Sequence, residues 1–160
     1  MNQENFSHLD KDGSANMVDI SEKNITSRSA SASCTVFLSS KAFDLVKKNQ
    51  IEKGNVLNIA KIAAISASKK TYDLIPLCHQ IPLSKVDVDF SLNEKNKTIE
   101  IQSIAITDWK TGVEMEALTA VSIASLTIYD MCKSVDKSIK ITDIQLDKKT
   151  GGKSGIYIRK

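Results

Sequence analysis

Over residues 32–38 apolar and polar positions alternate, with Ala32, Cys34, Val36 and Leu38 on one side and Ser33, Thr35 and Phe37 on the other. A period of two predicts a strand with one face on a core, Phe37 being an apolar exception on the opposite face. Ser39-Ser40 can cap a helix, and Phe43 and Val46 at i, i+3 carry that helix to about Asn49. Lys53-Gly54 reads as a turn. A second helix over about 55–70 sets Val56, Ile59, Ala60 and Ala63 at helical spacing. The stretch 74–82 holds both prolines of the chain, which predicts a fixed irregular loop. Then Val86, Val88 and Phe90 alternate with Asp87, Asp89 and Ser91; beyond the polar turn 93–97, Ile99, Ile101, Ile104 and Ile106 continue the second arm of a hairpin.

Residues 112–133 predict one long helix, uncharged from Ala117 until Asp130, with apolar residues on every side. A helix apolar all round is expected to be buried all round. Ala117, Ala120, Ser122, Ala124 and Ser125 would let neighbours approach closely. A chain of 160 residues is expected to be too small to surround such a helix, which predicts its burial in a subunit interface. A strand over about 139–146, the Gly-rich loop 149–155 and a short tail strand complete the chain. The order predicts an α+β sandwich, helices on one face of a mostly antiparallel sheet. Residues 1–17 show no sustained period and read as a flexible polar arm before a single domain, 18–160.

Composition narrows the classes. Hydrophobic residues at 41% and charged residues at 26% fit a globular domain rather than a disordered chain. A net charge of +3 is far from the basic face of a nucleic-acid binder, yet leaves room for a local cationic pocket. No run approaches the ~20 apolar residues of a membrane span, and residues 1–16 lack the apolar heart of a secretory signal. The three cysteines, Cys34, Cys78 and Cys132, form no CxxC pair. Neither a disulfide framework nor a zinc ribbon is predicted, and a reducing cytoplasm is the expected setting.

Candidate chemistry gathers on the long helix. Asp130 and Lys133 are neighbours at i, i+3. They read either as a surface ion pair or as an acid–base pair, because an ionisable group ending an apolar run is costly unless paired or used. Glu114 and Glu116 open the helix, where the macrodipole favours acids regardless of function. Glu116 and Asp130 are fourteen residues apart, which places them within about 40° of one face but ~21 Å apart along the axis. One small-molecule site cannot span both ends of one helix, so one end is structural or a site combines ends from two subunits. The interface expected for this helix favours the second.

Elsewhere, Cys78-His79 lies in the proline-bounded loop. His8 and the remaining cysteines lack ligand spacing, so no metal site is predicted. His79 suits either an acid–base or hydrogen-bonding role, or a satisfied structural one. The segment 147–155 fails the P-loop pattern, with Asp147 where the first glycine belongs and no helix following. Its glycines and lysines fit a phosphate-binding loop or a solvated basic turn.

Four segments, Leu74-Ile75-Pro76-Leu77-Cys78-His79, Gly112-Val113-Glu114-Met115-Glu116-Ala117-Leu118, Leu126-Thr127-Ile128-Tyr129-Asp130-Met131-Cys132-Lys133 and Lys149-Thr150-Gly151-Gly152-Lys153-Ser154-Gly155, taken together closely resemble the cyclic pyranopterin monophosphate synthases of molybdenum-cofactor biosynthesis. The similarity runs from Met17-Val18-Asp19-Ile20 to Gly155. The resemblance implies a ferredoxin-like subunit assembled as a homohexamer, a trimer of dimers, with sites at subunit interfaces. It implies a lyase that converts (8S)-3′,8-cyclo-7,8-dihydroguanosine 5′-triphosphate, supplied by an upstream radical cyclase, into cyclic pyranopterin monophosphate and pyrophosphate. Carried over by motif, Asp130 is the essential acid, with Lys133, Lys53 and His79 as further catalytic positions. Leu77, Cys78, His79, Glu114, Met115, Glu116, Arg28 and Lys149 match substrate-binding positions. No tightly bound cofactor is implied, and Mg2+ can accompany the substrate triphosphate. Gln80 replaces the proline that follows Cys-His in many relatives, and Asp108-Trp109 stands where small or polar residues are common.

The implied reaction needs proton transfers, which Asp130, Lys133 and His79 can supply if burial and pairing tune them. It also needs charge stabilisation as pyrophosphate departs, for which Arg28, Lys53 and Lys149 are suited. A binding protein that sequesters a phosphorylated pterin precursor would need the lysine-rich loop without the Asp130–Lys133 pair. A scaffold for the upstream enzyme would need only the apolar helix.

Overall fold

The computed structural model describes residues 12–160; most of the expected polar arm, with His8, lies outside the described residues. The elements are β1 (Thr26–Phe37), α1 (Ser40–Lys47), α2 (Val56–Ser68), α3 (Thr71–Leu74), β2 (Lys85–Asn93), β3 (Thr98–Trp109), α4 (Glu114–Cys132), β4 (Lys140–Thr150) and β5 (Tyr157–Ile158). The sheet order is β2-β3-β1-β4-β5, every neighbouring pair antiparallel. With β5 as an added edge, this is the β-α-β-β-α-β ferredoxin-like arrangement, an α+β fold with helices on one face of the sheet.

β1 shows how the alternation works. Ala30, Ala32, Cys34 and Val36 are buried under the helices, while Ser31, Ser33 and Thr35 line the other face. Phe37, the apolar exception, is exposed, and the Lys140 ammonium covers its ring at 4.7 Å. The strand begins at Thr26, earlier than its hydropathy shows, because Ser27, Ser29 and Ala30 carry little contrast.

Ile104 and Ile106 continue the second arm of the hairpin as expected, on its open face. β3 buries Ile99, Ile101, Ser103, Ala105 and Thr107, so Ile104, 46% exposed, and Ile106 fall on the opposite face. An unbroken strand keeps its phase, and the core tolerates the two polar residues because both are bonded. Ser103 Oγ donates to the Ala117 carbonyl at 2.8 Å, and Thr107 Oγ1 to that of Pro82 at 2.6 Å.

Caps fix the helix starts. The Ser39 hydroxyl accepts from the Ala42 amide at 3.3 Å, and the Asn55 side chain accepts from the Asn58 amide at 3.0 Å. On α2 the buried stripe is Val56, Ala60, Ala64 and Ser68, so Ile59, expected on the inner face, looks outward with Ile62.

α4 packs between the sheet and α2, which covers more of it than its composition predicts. Ala117, Ala120, Val121, Ala124 and Ile128 are buried within this one chain. Small residues on α2 and α4 shorten the distance at which the helices meet. Three of its hydroxyls bond within the helix: Ser122 donates to the Leu118 carbonyl, Ser125 to that of Ser122 and Thr127 to that of Ile123. Only a stripe including Met115 and Leu126, the latter 55% exposed, remains open. The expectation of all-round burial by other subunits therefore shrinks to this stripe.

β4 is also longer than expected. It continues to Thr150 through two bulges against β1, with Asp143 left-handed at φ 56°. Lys149, expected in a loop, is a strand residue paired with Ala30.

Candidate active site

The two ends of α4 carry two separate groups of the residues singled out in the sequence. At the C-terminal end, Lys133 Nζ donates to Asp130 Oδ1 at 2.6 Å. Lys53, from the turn after α1, donates to the Asp130 backbone carbonyl at 2.9 Å and lies 3.5 Å from Oδ2. Gly54, at φ 105°, permits this turn. The hydrogen bond from Lys133, its charge and that of Lys53 hold the Asp130 carboxyl below its ordinary value. The same bond raises Lys133. Pairing tunes the groups as expected; burial does not, since the Asp130 side chain is 59% exposed. Within one chain this centre is a preformed ionic triad open to solvent. A groove of about 550 Å3 beside it is lined by Leu45, Ile51, Lys53 and Val135.

Asp136, which sequence reasoning passed over, anchors this end. Its carboxylate accepts from the Ser39 amide at 2.7 Å and from the Ser138 amide and hydroxyl at 2.8 and 2.6 Å. These bonds pull its pKa down to about 2 and tie the exit of α4 to the cap of α1.

At the N-terminal end, Glu114 Oε1 lies 3.2 Å from Lys149 Nζ, and Lys149 also reaches Ser154 Oγ at 2.8 Å. Arg28 donates from Nε to the Trp109 carbonyl at 2.9 Å. Its guanidinium lies against Gly152, where any Cβ would collide with it. The proline-bounded loop is pinned to β3 through the Pro82 carbonyl and turns at Cys78, whose amide donates to the Ile75 carbonyl. Leu77, Cys78 and His79 are half-buried there, and Met115 is exposed at the helix mouth. Burial, then the nearby Glu116 carboxyl, pushes the Cys78 thiol up.

Glu116 is the outlier. It is 3% exposed, its Oε2 has no partner among the described residues, and burial pushes its pKa up to about 7. Neutrality relieves the cost of an unpaired buried charge. Against its ordinary value of 4.5, the folded chain binds the extra proton between about pH 4.5 and 7. The unfolded chain does not, so stability falls as pH rises through that window, by about 3 kcal/mol. Urea unfolding of wild type and Glu116→Gln from pH 4.5 to 7.5 checks this: the glutamine variant is expected to lose the slope. Parallel profiles would mean that the acid stays ionised.

Among the described residues no group of three or more His, Cys, Asp and Glu side chains could hold a metal ion. No described helix is long and apolar enough to cross a membrane.

A ferredoxin-like α+β domain with a cationic centre at each end of one helix is the class that this geometry defines. The chain belongs to the MoaC family, whose pattern it matches over residues 17–152. A Heliobacterium modesticaldum protein named cyclic pyranopterin monophosphate synthase is 54% identical over 154 residues, 96% of this chain and 97% of the relative. A Natranaerobius thermophilus protein of the same name is 52% identical over 150 residues, 94% of each chain. An Arabidopsis thaliana protein with that name, designated mitochondrial, is 52% identical over 96% of this chain and 57% of its own length.

Proposed function

We infer that this chain is a lyase of molybdenum-cofactor biosynthesis, converting (8S)-3′,8-cyclo-7,8-dihydroguanosine 5′-triphosphate into cyclic pyranopterin monophosphate and pyrophosphate. The observation that carries this reading is identity of about half the positions, along nearly the whole chain, to synthases of that name. A protein that merely sequestered a phosphorylated pterin precursor would not need the Lys53–Asp130–Lys133 triad.

The chemistry divides between the two ends of α4. Opening the purine-derived ring and rebuilding it as a pterin requires protons to be placed and removed. Asp130, ionised beside two ammonium groups, accepts one, and Lys133 donates one once substrate and neighbouring protein displace water from the triad. His79 in the Cys-His loop serves the same proton transfers. Closing the cyclic phosphate requires a substrate hydroxyl to attack the α-phosphorus while the bond to the β-phosphate breaks. Arg28, Lys53 and Lys149 stabilise the charge that develops on the departing pyrophosphate. Leu77, Cys78, Met115 and Glu114 line the part of the site that holds the rest of the substrate; Glu116, expected there too, is buried within the chain and does not face it.

The assembly belongs to the same proposal. The open stripe on α4 and the separation of its ends fit a homohexamer, a trimer of dimers, in which subunits complete each other's sites. The reading requires no resident cofactor; magnesium enters with the substrate triphosphate. The substrate arrives from the upstream radical cyclase. A cytoplasmic setting accords with three unpaired cysteines.

Purified protein incubated with the cyclised dihydro-GTP is expected to release pyrophosphate and cyclic pyranopterin monophosphate in equal amounts. Tight binding without either product would replace the lyase by the sequestering protein.

A further inference from the structure

The start of α1 lacks two features that complete a helix end. Its N-cap, Ser39, accepts from the Ala42 amide, but position 42 is a fully buried alanine. It cannot return a bond to the Ser39 amide as a Glu or Gln there would. The first turn also carries no acid to meet the helix dipole. Asp136, 97 residues further along the chain, supplies both, because its Oδ2 accepts from the Ser39 amide at 2.7 Å. We propose that Asp136 is a positioning residue of the lyase, which sets Lys53 against the Asp130–Lys133 pair by closing the end of α4 onto the start of α1. The proposal rests on the lyase reading above and adds to it a residue that touches no reacting atom.

The hydrogen bonds close a ring. From Asp130 to Asp136 the backbone is bonded turn upon turn: the Lys133 amide donates to the Tyr129 carbonyl at 2.9 Å, and the Val135 and Asp136 amides to that of Cys132 at 2.9 and 3.0 Å. Asp136 therefore stands at a fixed offset from Asp130 and Lys133. Ser39 in turn is part of α1, its carbonyl accepting from the Phe43 amide at 2.9 Å. Beyond the far end of α1, the Gln50 amide returns to the Leu45 carbonyl at 2.8 Å and the Gly54 amide to that of Ile51 at 3.0 Å. Lys53, inside this turn, reaches the Asp130 carbonyl at 2.9 Å and completes the circuit. All three members of the triad lie on it. The groove beside the triad is bounded by both arms, with Leu45, Ile51 and Lys53 on one and Ser134 and Val135 on the other.

The remaining ties of α1 are less directional. Ala42, Phe43 and Val46 seat it on the core, but apolar burial has no preferred direction and does not set where Lys53 comes to rest. Its ion pairs, Lys47 with Glu94 and Asp44 with Lys97, run to the β2–β3 turn and are largely exposed, so they contribute little. Asp136 is 6% exposed, and its carboxylate also accepts from the amide and hydroxyl of Ser138. Charge-assisted bonds of this kind are roughly twice as strong as neutral ones. A shift of ~1 Å in the Lys53 turn would take Nζ out of hydrogen-bond range of the Asp130 carbonyl.

Asp136→Asn keeps the shape and removes the charge. In the full chain, Lys53 should then be acetylated by acetic anhydride about fivefold faster, the worth of one lost hydrogen bond. Peptide masses give the rate, with the exposed Lys69 as an unchanged internal standard. The kcat for pyrophosphate release should fall roughly 10- to 100-fold with KM little altered. In Lys53→Ala protein the same substitution should lower kcat no further, because its effect runs through Lys53. Ser39→Pro repeats the experiment without touching the acid. The backbone there, at φ −63°, accepts proline, which deletes the N–H donor. Ser39→Ala, which keeps that donor, should label like wild type. Unchanged Lys53 labelling in Asp136→Asn and Ser39→Pro, or a fall in kcat as large without Lys53 as with it, would overturn the positioning role. A chain that folds in neither variant would overturn it too, making Asp136 a clamp for stability alone. Faster labelling in a protein whose wild type releases no pyrophosphate would leave the ring standing but remove the lyase, and the positioning role with it.

Discussion

Asp130→Ala and Lys133→Ala should each lower turnover by roughly 10²–10⁴-fold, the range of a positioned acid or base, while leaving a folded chain. Both side chains are more than half exposed, and neither packs into the core. Their mutual hydrogen bond lies in solvent, where ion pairs add little to stability. A thermal melt close to that of wild type, combined with lost pyrophosphate release, would assign the loss to chemistry. Asp130→Asn sharpens the experiment, since it keeps the shape and removes the charge that holds both ammonium groups. Lys53→Ala should also impair turnover, because Lys53 bonds the Asp130 carbonyl as well as approaching its carboxylate. Wild-type turnover in the asparagine variant would reduce the triad to a surface salt bridge.

How far the sequence discloses this arrangement depends on contrast and distance. Strand phase is legible where large apolar residues meet polar ones, as at Cys34, Val36 and Val88. It fades where both faces are small, which is why the first part of β1 passes unnoticed. Ile104 and Ile106 extend the strand as their hydropathy suggests, but the pleat alone decides that they take its open face while Ser103, Ala105 and Thr107 take the buried one. The long helix is legible as a helix, but not in its surroundings: alanines on α2 and serines that bond their own backbone let one chain bury most of it. Of the site, the Asp130–Lys133 pair is local and visible at i, i+3. Lys53 is brought to it from far along the chain, and Lys149 reaches Glu114 only because β4 runs further than its hydropathy shows. Glu116 gives no local sign of being buried without a partner. That property comes from the packing of the whole domain around the start of α4.

Mixing two inactive variants should restore activity if each site draws the Asp130 end from one subunit and the Glu114 end from another. In one chain these groups lie at opposite ends of α4, and each has its own partners: Lys53 and Lys133 at one, Lys149 at the other. The rise of ~1.5 Å per residue separates Glu116 from Asp130 by ~21 Å, too far for one small substrate to touch both on a single helix. A two-fold axis that sets two copies of α4 antiparallel brings opposite ends together and creates two equivalent sites. Asp130→Ala protein exchanged with Glu114→Ala protein at equal concentration would form mixed dimers in half the cases. Each mixed dimer would hold one doubly damaged site and one intact site, so about a quarter of full activity should return. Mass-labelled subunits establish that exchange has occurred. Mixed oligomers that form, bind substrate and stay inactive would show that the two ends of α4 serve different sites, leaving the Glu114–Lys149 pair to fix β4 against the helix.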